Sequence, residues 1–328
     1  MNKGSVRLGW IGCGQHSKRD LLIEVVNLKS LHKTAICDLN KDLVKSCAEQ
    51  FGFNQFYTDY IEMFENESLD AVVVVGSPEL HERVAFEALK RGVHVFCEKP
   101  VSLSSRTIKN LSELAHEKKC KTQVGHFLRY APAIVELHSN LKNQFIGKPT
   151  SFTGTYHTFG PWELRTEWNS TSLLETYLYV QGIHLIDLVE HLLGPIKSIQ
   201  SAFSISETNR ISVSCLVELQ SGIKGTLELS SSAPSWSTTF NILTDKQLEV
   251  SVENGTKYSI KKKADDGKSP IQLVHQDFGG GYGLNYANGY LAQLQAFIDS
   301  INNDENACPD FHQANITTSW IERIKHIH

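Results

Sequence analysis

The chain has 328 residues, 41% of them hydrophobic and 21% charged, and a formal net charge of −4. That length exceeds one ordinary core and points to two domains of a globular protein. The small negative charge offers no electrostatic footprint for nucleic acid or an anionic membrane, and no apolar run reaches the roughly 18 residues of a membrane span. Seven scattered cysteines without a CxxC pair point to thiols in a reducing cytoplasm, and no metal site is expected from them. Met1-Asn2-Lys3-Gly4-Ser5 leads into a strand without the apolar region of a signal peptide, so a cytoplasmic location is expected.

Residues 6–11 read as a first strand. Gly12-Cys13-Gly14-Gln15-His16-Ser17 follows, G-x-G-x-x-S in place of G-x-G-x-x-G. A helical pattern comes next in which Leu21, Leu22, Val25 and Val26 share a face. Gly12 suits a tight turn, Gly14 suits close approach of a pyrophosphate to a helix N-terminus, and Ser17 is small enough for helix-on-strand packing. A plain turn is the competing reading. Residues 34–38 form a second strand ending in Asp38, which lies 38 − 12 = 26 residues beyond Gly12. This is near the spacing of a ribose-binding carboxylate. Such a carboxylate repels a 2′-phosphate, and no arginine stands in Leu39-Asn40-Lys41, so NAD is favoured over NADP. A helix cap or turn is the alternative role for Asp38.

Strand and helix then alternate. Ala71-Val72-Val73-Val74-Val75 is a continuous apolar run, as in a parallel strand buried on both faces. Gly76-Ser77-Pro78-Glu79-Leu80-His81 turns into a helix over 82–90. Val93-His94-Val95-Phe96-Cys97 is another strand, closed by Glu98-Lys99-Pro100, which places a lysine at the C-terminal mouth of a buried strand. A helix over 105–118 and a strand at 122–124 complete a doubly wound sheet.

Gly12-Cys13-Gly14, the turn from Ser77 to His81, the segment from Ala88 to Val95 and Glu98-Lys99-Pro100 together resemble the Gfo/Idh/MocA family. These are two-domain NAD(P)-dependent oxidoreductases of sugars, cyclitols and sugar nucleotides. The resemblance implies an α/β Rossmann N-terminal domain over 1–122 and an α+β domain with a large, mostly antiparallel open sheet over 123–328, whose terminal helix returns to the first domain. It also implies cofactor contacts from Gly12, Cys13, Gly14, Gln15, His16, Asp38, Ser77, Pro78, His81, Glu98 and Lys99. Gln123 to Ala133 resembles the family's crossover between domains, and Arg129 matches its recurring arginine.

Phe159-Gly160-Pro161-Trp162-Glu163-Leu164-Arg165 and the residues to Asn169 form a loop with two tryptophans and an arginine. Trp162 and Arg165 suit a carbohydrate, although a packed surface loop is the plainer reading. Ser172-Leu173-Leu174-Glu175 fits a capping box that opens a helix running to Gly194-Pro195. Gly182, His184 and Asp187 fall into register with the family's catalytic helix. The family's aspartate, one turn before the histidine, is replaced by Val180, and its glycine-rich start by Leu174-Glu175-Thr176. Glu175 and Tyr177 are the polar side chains that could compensate.

Oxidising a secondary alcohol requires a base for the hydroxyl proton while hydride leaves for the nicotinamide. His184 has the near-neutral reference pKa for that role, and Lys99 can polarise the same oxygen. Lys99 and His184 are therefore the candidate catalytic pair, with Arg129, Trp162, Arg165, Asp187 and His184 as candidate substrate contacts. His184, Asp187 and His191 share a helix face, but no metal is assigned to them. The alternatives are a non-catalytic dinucleotide-binding sensor, which Val180 favours, and an enzyme cycling a tightly held NAD. Residues 196–274 alternate as a meander of strands with one face lacking intrachain cover, so a homodimer or homotetramer through that sheet is expected. A helix is predicted from Tyr286 to Ser300 and another over 313–325. Gly279 to Gly283 reads as a mobile loop, and Lys261-Lys262-Lys263 as a solvated turn.

Overall fold

The computed structural model of the chain describes residues 5–165, 168, 170–264, 269–279 and 288–324. It separates into two units. The first runs up to His126 and takes in Tyr290–Ser319; the second comprises Phe127–Gly289 and the segment from Trp320 onward.

The first unit is a parallel sheet of β1 (Val6–Ile11), β2 (Leu31–Cys37), β3 (Gln55–Tyr57), β4 (Ala71–Val74), β5 (His94–Cys97) and β6 (Thr122–Val124). Their order is β3-β2-β1-β4-β5-β6. The order reverses between β1 and β4, which opens a crevice beyond the carboxyl ends of those strands. Every residue of β4 is buried, as the unbroken valine run requires. One face of the sheet packs Trp10, Leu21, Leu22 and Phe96 against Leu294 and Phe297. The other packs Val72, Val74, Val84 and Ile108 against Phe311 and Ala314.

The helices of this unit begin where their caps dictate. The first, α1, is a π-helical turn Ser17–Leu22 continued by Ile23–Val25. Asn40 caps α2 (Lys41–Phe51), Asp59 caps α3 (Tyr60–Asn66), Ser77 caps α4 (Pro78–Lys90) with Pro78 in its first turn, and Ser104 caps α5 (Ser105–Lys118). Leu21, Leu22 and Val25 are buried as their spacing predicts, but Val26 is 59% exposed. The helix has ended by then, and Val26 is its C-terminal cap.

The second unit carries an eight-stranded sheet of β7 (Pro149–His157), β8 (Ile196–Ile205), β9 (Ile211–Leu219), β10 (Lys224–Ser230), β11 (Ser237–Thr244), β12 (Leu248–Glu253), β13 (Lys257–Lys263) and β14 (Pro270–Asp277). The order is β14-β13-β12-β11-β7-β10-β9-β8, antiparallel except where β7 pairs with β10. Among the described residues this unit also holds the helices α6 (Pro132–Lys142), α7 (Leu173–Tyr177) and α8 (Ile183–Leu193). The predicted continuous helix over 172–193 is interrupted by a π-helical turn, Leu178–Gly182. Lys261, Lys262 and Lys263 form the end of β13 rather than a turn. Lys261 pairs with Glu249 and Gln272, Lys262 with Leu248 and Ile271, and Lys263 with Pro270, so the run lies within the sheet with the Lys262 and Lys263 side chains exposed.

Two last helices follow, α9 (Tyr290–Asn303) and α10 (Phe311–Ile324). The predicted start of α9 at Tyr286, the end of α10 at Lys325, and the loop from Gly280 to Gly283 lie outside the described residues. Among the described residues no helix is long and apolar enough to cross a membrane.

Gly12 has φ +98°, and a Cβ built on it would stand 1.9 Å from the Val75 carbonyl oxygen. Gly12→Ala should therefore lower the unfolding midpoint by roughly 5–10 °C, whereas Gly14→Ala, with nothing within 4 Å of its Cβ, should melt close to wild type. Calorimetry of both variants checks the contrast.

Candidate active site

The turn after β1 is set by backbone contacts on both sides. Gly12 N–H donates to the Cys37 carbonyl (2.9 Å) at the end of β2, while its α-carbon lies against Val75 beyond β4. Ser17 is fully buried, and its hydroxyl accepts the Trp10 indole N–H at 3.0 Å. A small polar residue therefore fills the place of the third glycine by bonding to the strand it packs on. Gly14 has open space where a side chain would stand.

Asp38 is fixed rather than mobile. Its Oδ2 accepts the Cys13 N–H at 2.7 Å and its Oδ1 accepts the Asn40 N–H at 2.9 Å. Each carboxylate oxygen keeps a further lone pair for a ribose hydroxyl. A turn with an open glycine beside a held acid fits the adenosine and pyrophosphate of a dinucleotide. Gln15 is exposed at the mouth of that turn.

His16 sits in a chain of charges. Its Nδ1 is 2.7 Å from Asp20 Oδ2, and its Nε2 is 3.6 Å from Glu98 Oε2. Burial opposes the imidazolium, but the bonds to Asp20 and Glu98 outweigh it and raise the His16 pKa to about 9. Burial likewise opposes ionisation of Glu98, and His16 with Lys99 overcomes it, holding the carboxyl below its ordinary range. The Glu98 carboxylate occupies space that a side chain at residue 125 would take, because a Cβ on Gly125 would lie 2.1 Å from Glu98 Oε1. That oxygen is buried without a hydrogen-bond partner among the described residues. Lys99 is half-buried. Burial lowers its pKa and Glu98 partly restores it.

Ser77 caps α4 by accepting the Leu80 N–H at 3.3 Å, and Pro78 preorganises that turn. His81 is fully buried, and both of its ring nitrogens meet backbone groups, Gly76 N–H and the Pro100 carbonyl, each at 2.8 Å. Its place is thus behind the lysine turn, with no ring nitrogen left for a cofactor.

In the second unit, β7 supports His184. Phe152, Gly154 and Tyr156 alternate toward the buried face. Gly154 makes room for Leu227 of β10, 2.9 Å from a Cβ there, with Leu185 of α8 beside it at 3.4 Å. The neighbouring His184 ring then stacks on Tyr156 at 5.5 Å with 7° between planes, and meets Phe127 edge-on at 5.1 Å. Arg129 and Asp187 bond to one another: Nε donates to Oδ2 and Nη2 to Oδ1, both at 2.7 Å, and both residues are buried. This forked pair joins α8 to the crossover segment. His191 packs on His138 with ring centroids 4.4 Å apart, and burial with Arg129 pushes its pKa down to about 3. Among the described residues no three metal-type side chains are grouped to hold an ion.

Trp162 lies edge-on to Tyr177 at 4.9 Å, and the Arg165 guanidinium is 5.4 Å from the Trp168 ring. Trp162 and Arg165 line one open hollow with Phe159, Pro161, Glu163 and Leu164. Ser172 caps α7 as expected by accepting the Glu175 N–H at 3.0 Å, but the Glu175 carboxylate accepts the N–H and hydroxyl of Thr171, both at 2.6 Å. Tyr177 faces Thr158, hydroxyl to hydroxyl at 3.4 Å. Asp20 and Tyr156 are additions that the sequence reading lacked. The four-residue spacing from His16 to Asp20 on a helix was a usable signal; nothing in the sequence marked Tyr156.

A reversing parallel sheet with an open glycine turn, a held acid and a half-buried lysine defines the class of dinucleotide-binding oxidoreductases. The chain belongs to the Gfo/Idh/MocA oxidoreductase family: residues 6–126 match its NAD-binding Rossmann fold and residues 134–257 its C-terminal domain. It is 29% identical over 213 residues to the inositol 2-dehydrogenase/D-chiro-inositol 3-dehydrogenase of Lactiplantibacillus plantarum, covering 63% of this chain and 57% of that protein. It is 26% identical over 200 residues to the D-apiose dehydrogenase of Paraburkholderia graminis, covering 59% and 51%. The chain thus spans about half the length of the curated relatives it matches. Its fold is that of a dehydrogenase from Chromobacterium violaceum (TM-score 0.89, 21% identity, 98% of this chain and 95% of that one). It is also that of levoglucosan dehydrogenase in complex with NADH and L-sorbose (TM-score 0.85, 17% identity, 99% and 96%).

Because the His16 pKa is raised above 6.5 in the folded protein, its ion pairs stabilise the fold fully below about 6.5 and lose that contribution as the pH rises through about 9. The stability difference between wild type and His16→Gln should shrink from about pH 7 to about pH 10. A difference that is constant over that range in urea titrations would show that no such pairing stabilises the fold.

Proposed function

We propose that the protein is an NAD-dependent dehydrogenase or reductase of a secondary alcohol or ketone on a sugar, cyclitol or sugar nucleotide. The observation that carries the reading is that the glycine turn and the lysine turn are tied within one unit through His16 and Glu98. The cofactor and the Lys99 amine are then held by the same framework. The named relatives supply the substrate class.

Gly12, Cys13, Gly14 and Gln15 would hold the pyrophosphate, and Asp38 the adenosine ribose. Asp38 also disfavours a 2′-phosphate, which argues for NAD over NADP. When bound, NAD accepts or supplies the hydride. The chain's residues orient the substrate and move its proton. Lys99, with its pKa lowered by burial, polarises the reacting oxygen, and His184 takes up or returns the hydroxyl proton. The aromatic walls of Tyr156 and Phe127 fix the plane of the imidazole. Trp162 and Arg165 are proposed to meet the sugar. Arg129 and Asp187, tied to each other, act by holding α8.

A second reading follows from Val180. The family's aspartate is absent, Glu175 turns back to Thr171, and Tyr177 faces Thr158. A dinucleotide-binding sensor without turnover fits that departure. One experiment separates the two. Absorbance of the reduced nicotinamide is followed with NAD or NADP and a panel of inositols, pentoses, anhydrosugars and sugar nucleotides. Turnover should be seen with NAD, and Lys99→Met should reduce it by at least about 100-fold with NAD affinity little changed. Undiminished turnover in that variant removes the assignment, and absence of turnover with NAD still bound supports the sensor.

The protein is proposed to be a cytoplasmic homodimer or homotetramer through the eight-stranded sheet. Thr153, Ser214, Leu216, Thr226 and Glu228 lie exposed on its outer face. Light scattering at micromolar concentration should give at least twice the mass of 36.8 kDa; a monomer would refute the assembly.

A further inference from the structure

The reactive lysine stands in a stretch without regular structure, residues 98–104, between β5 and α5. A lysine carries a long, flexible stem, so a useful position for its amine must be imposed from outside the stretch. Two consecutive residues of α4 reach that segment. His81 meets the Pro100 carbonyl at 2.8 Å, and the Ser102 hydroxyl donates to Glu82 Oε1 at 2.5 Å. The His81 ring is fully buried. Its Nε2 accepts the Gly76 N–H at 2.8 Å, so that nitrogen carries no proton. The proton of the neutral ring is therefore on Nδ1, and Nδ1–H is the donor to Pro100. Burial pulls the His81 pKa down to about 4, which keeps this single tautomer across the working range of pH.

We propose that His81 is the positioning residue of the lysine turn, its ring clamped between Gly76 N–H and the Pro100 carbonyl so that the Lys99 amine is held in one place beside Glu98. The proposal rests on the reading of Lys99 as the residue that polarises the substrate. It adds why the motif ending in His81 and the motif around Lys99 depend on one another. The first closes the strand β4, the second closes β5, and the imidazole bridges the two strand ends with a donor on one side and an acceptor on the other. Asparagine at this position can place an amide N–H near Nδ1 and keep the bond to Pro100. Glutamine places its amide near Nε2 and keeps only the contact with Gly76.

The test follows Lys99 itself. Protein carrying ε-13C lysine is titrated by NMR, and the Lys99 signal is assigned by its loss in Lys99→Met. In His81→Gln the Lys99 midpoint should rise by about one pH unit toward the ordinary lysine value. In His81→Asn it should move by less than half as much, with NAD affinity similar in both variants. A Lys99 midpoint that is unchanged in folded His81→Gln, or shifted equally by Asn and Gln, overturns the proposal. If the Gln variant does not fold, 15N NMR of wild-type His81 decides: the ring must be neutral with its proton on Nδ1 between about pH 5 and 9, and a proton on Nε2 overturns the proposal. Ser102→Ala, which releases the second fastening, should move Lys99 in the same direction. No turnover is read here, so a protein without dehydrogenase activity could still confirm the clamp. Conversely, turnover that needs Lys99 but a Lys99 midpoint indifferent to His81 would sink the clamp alone.

Discussion

The close approach of Gly12 to Val75 is the contact on which the rest of the first unit turns. A Cβ at residue 12 would occupy the Val75 carbonyl oxygen, so only glycine lets the end of β1 lie against the end of β4. The same residue donates its N–H to Cys37 at the end of β2. Three strand ends thus converge on one residue with no side chain. Asp38 and the open space at Gly14 then face the crevice where the strand order reverses. An alanine there would push apart the elements that make the cofactor cradle.

Charge organises what glycine makes room for. Asp20, His16, Glu98 and Lys99 alternate in sign along a path from the first helix to the lysine turn. Each group is partly buried, and each would cost free energy alone. Together they raise the pKa of the histidine and lower that of the carboxyls. The buried Arg129–Asp187 fork does the corresponding work in the second unit, where breaking one half would strand a buried charge. The His184 ring is set by aromatic contacts, a stacked tyrosine and an edge-on phenylalanine.

The π-helical turns bear on where sequence spacing fails. Both stand in helices that carry proposed site residues, one after the glycine turn and one just before His184. A π turn carries one residue more than an α turn. The four residues from Val180 to His184 therefore cross a π-helical turn rather than one regular α turn. The family resemblance sets Val180 against an aspartate, and this widened turn is the backbone on which that residue stands.

The sequence by itself determined the parallel sheet, the glycine turn, an acid at the end of the second strand and the position of the lysine. Buried valine runs, helix caps and glycines at forced backbone angles act over a few residues, so their physics is legible locally. It also determined most of the meander, through strict alternation along β9 and β10. Tertiary structure decided what those residues touch. Arg129 and Asp187 read as substrate contacts because they match the family's recurring arginine and catalytic helix, and only the fold reveals that they pair with each other across 58 residues of chain. His81 read as a cofactor contact, and only the fold spends both of its nitrogens on the backbone. A side chain's type and spacing set what it can bond, but a buried polar group must take whichever partner the packed chain brings within reach. That partner is a property of the fold.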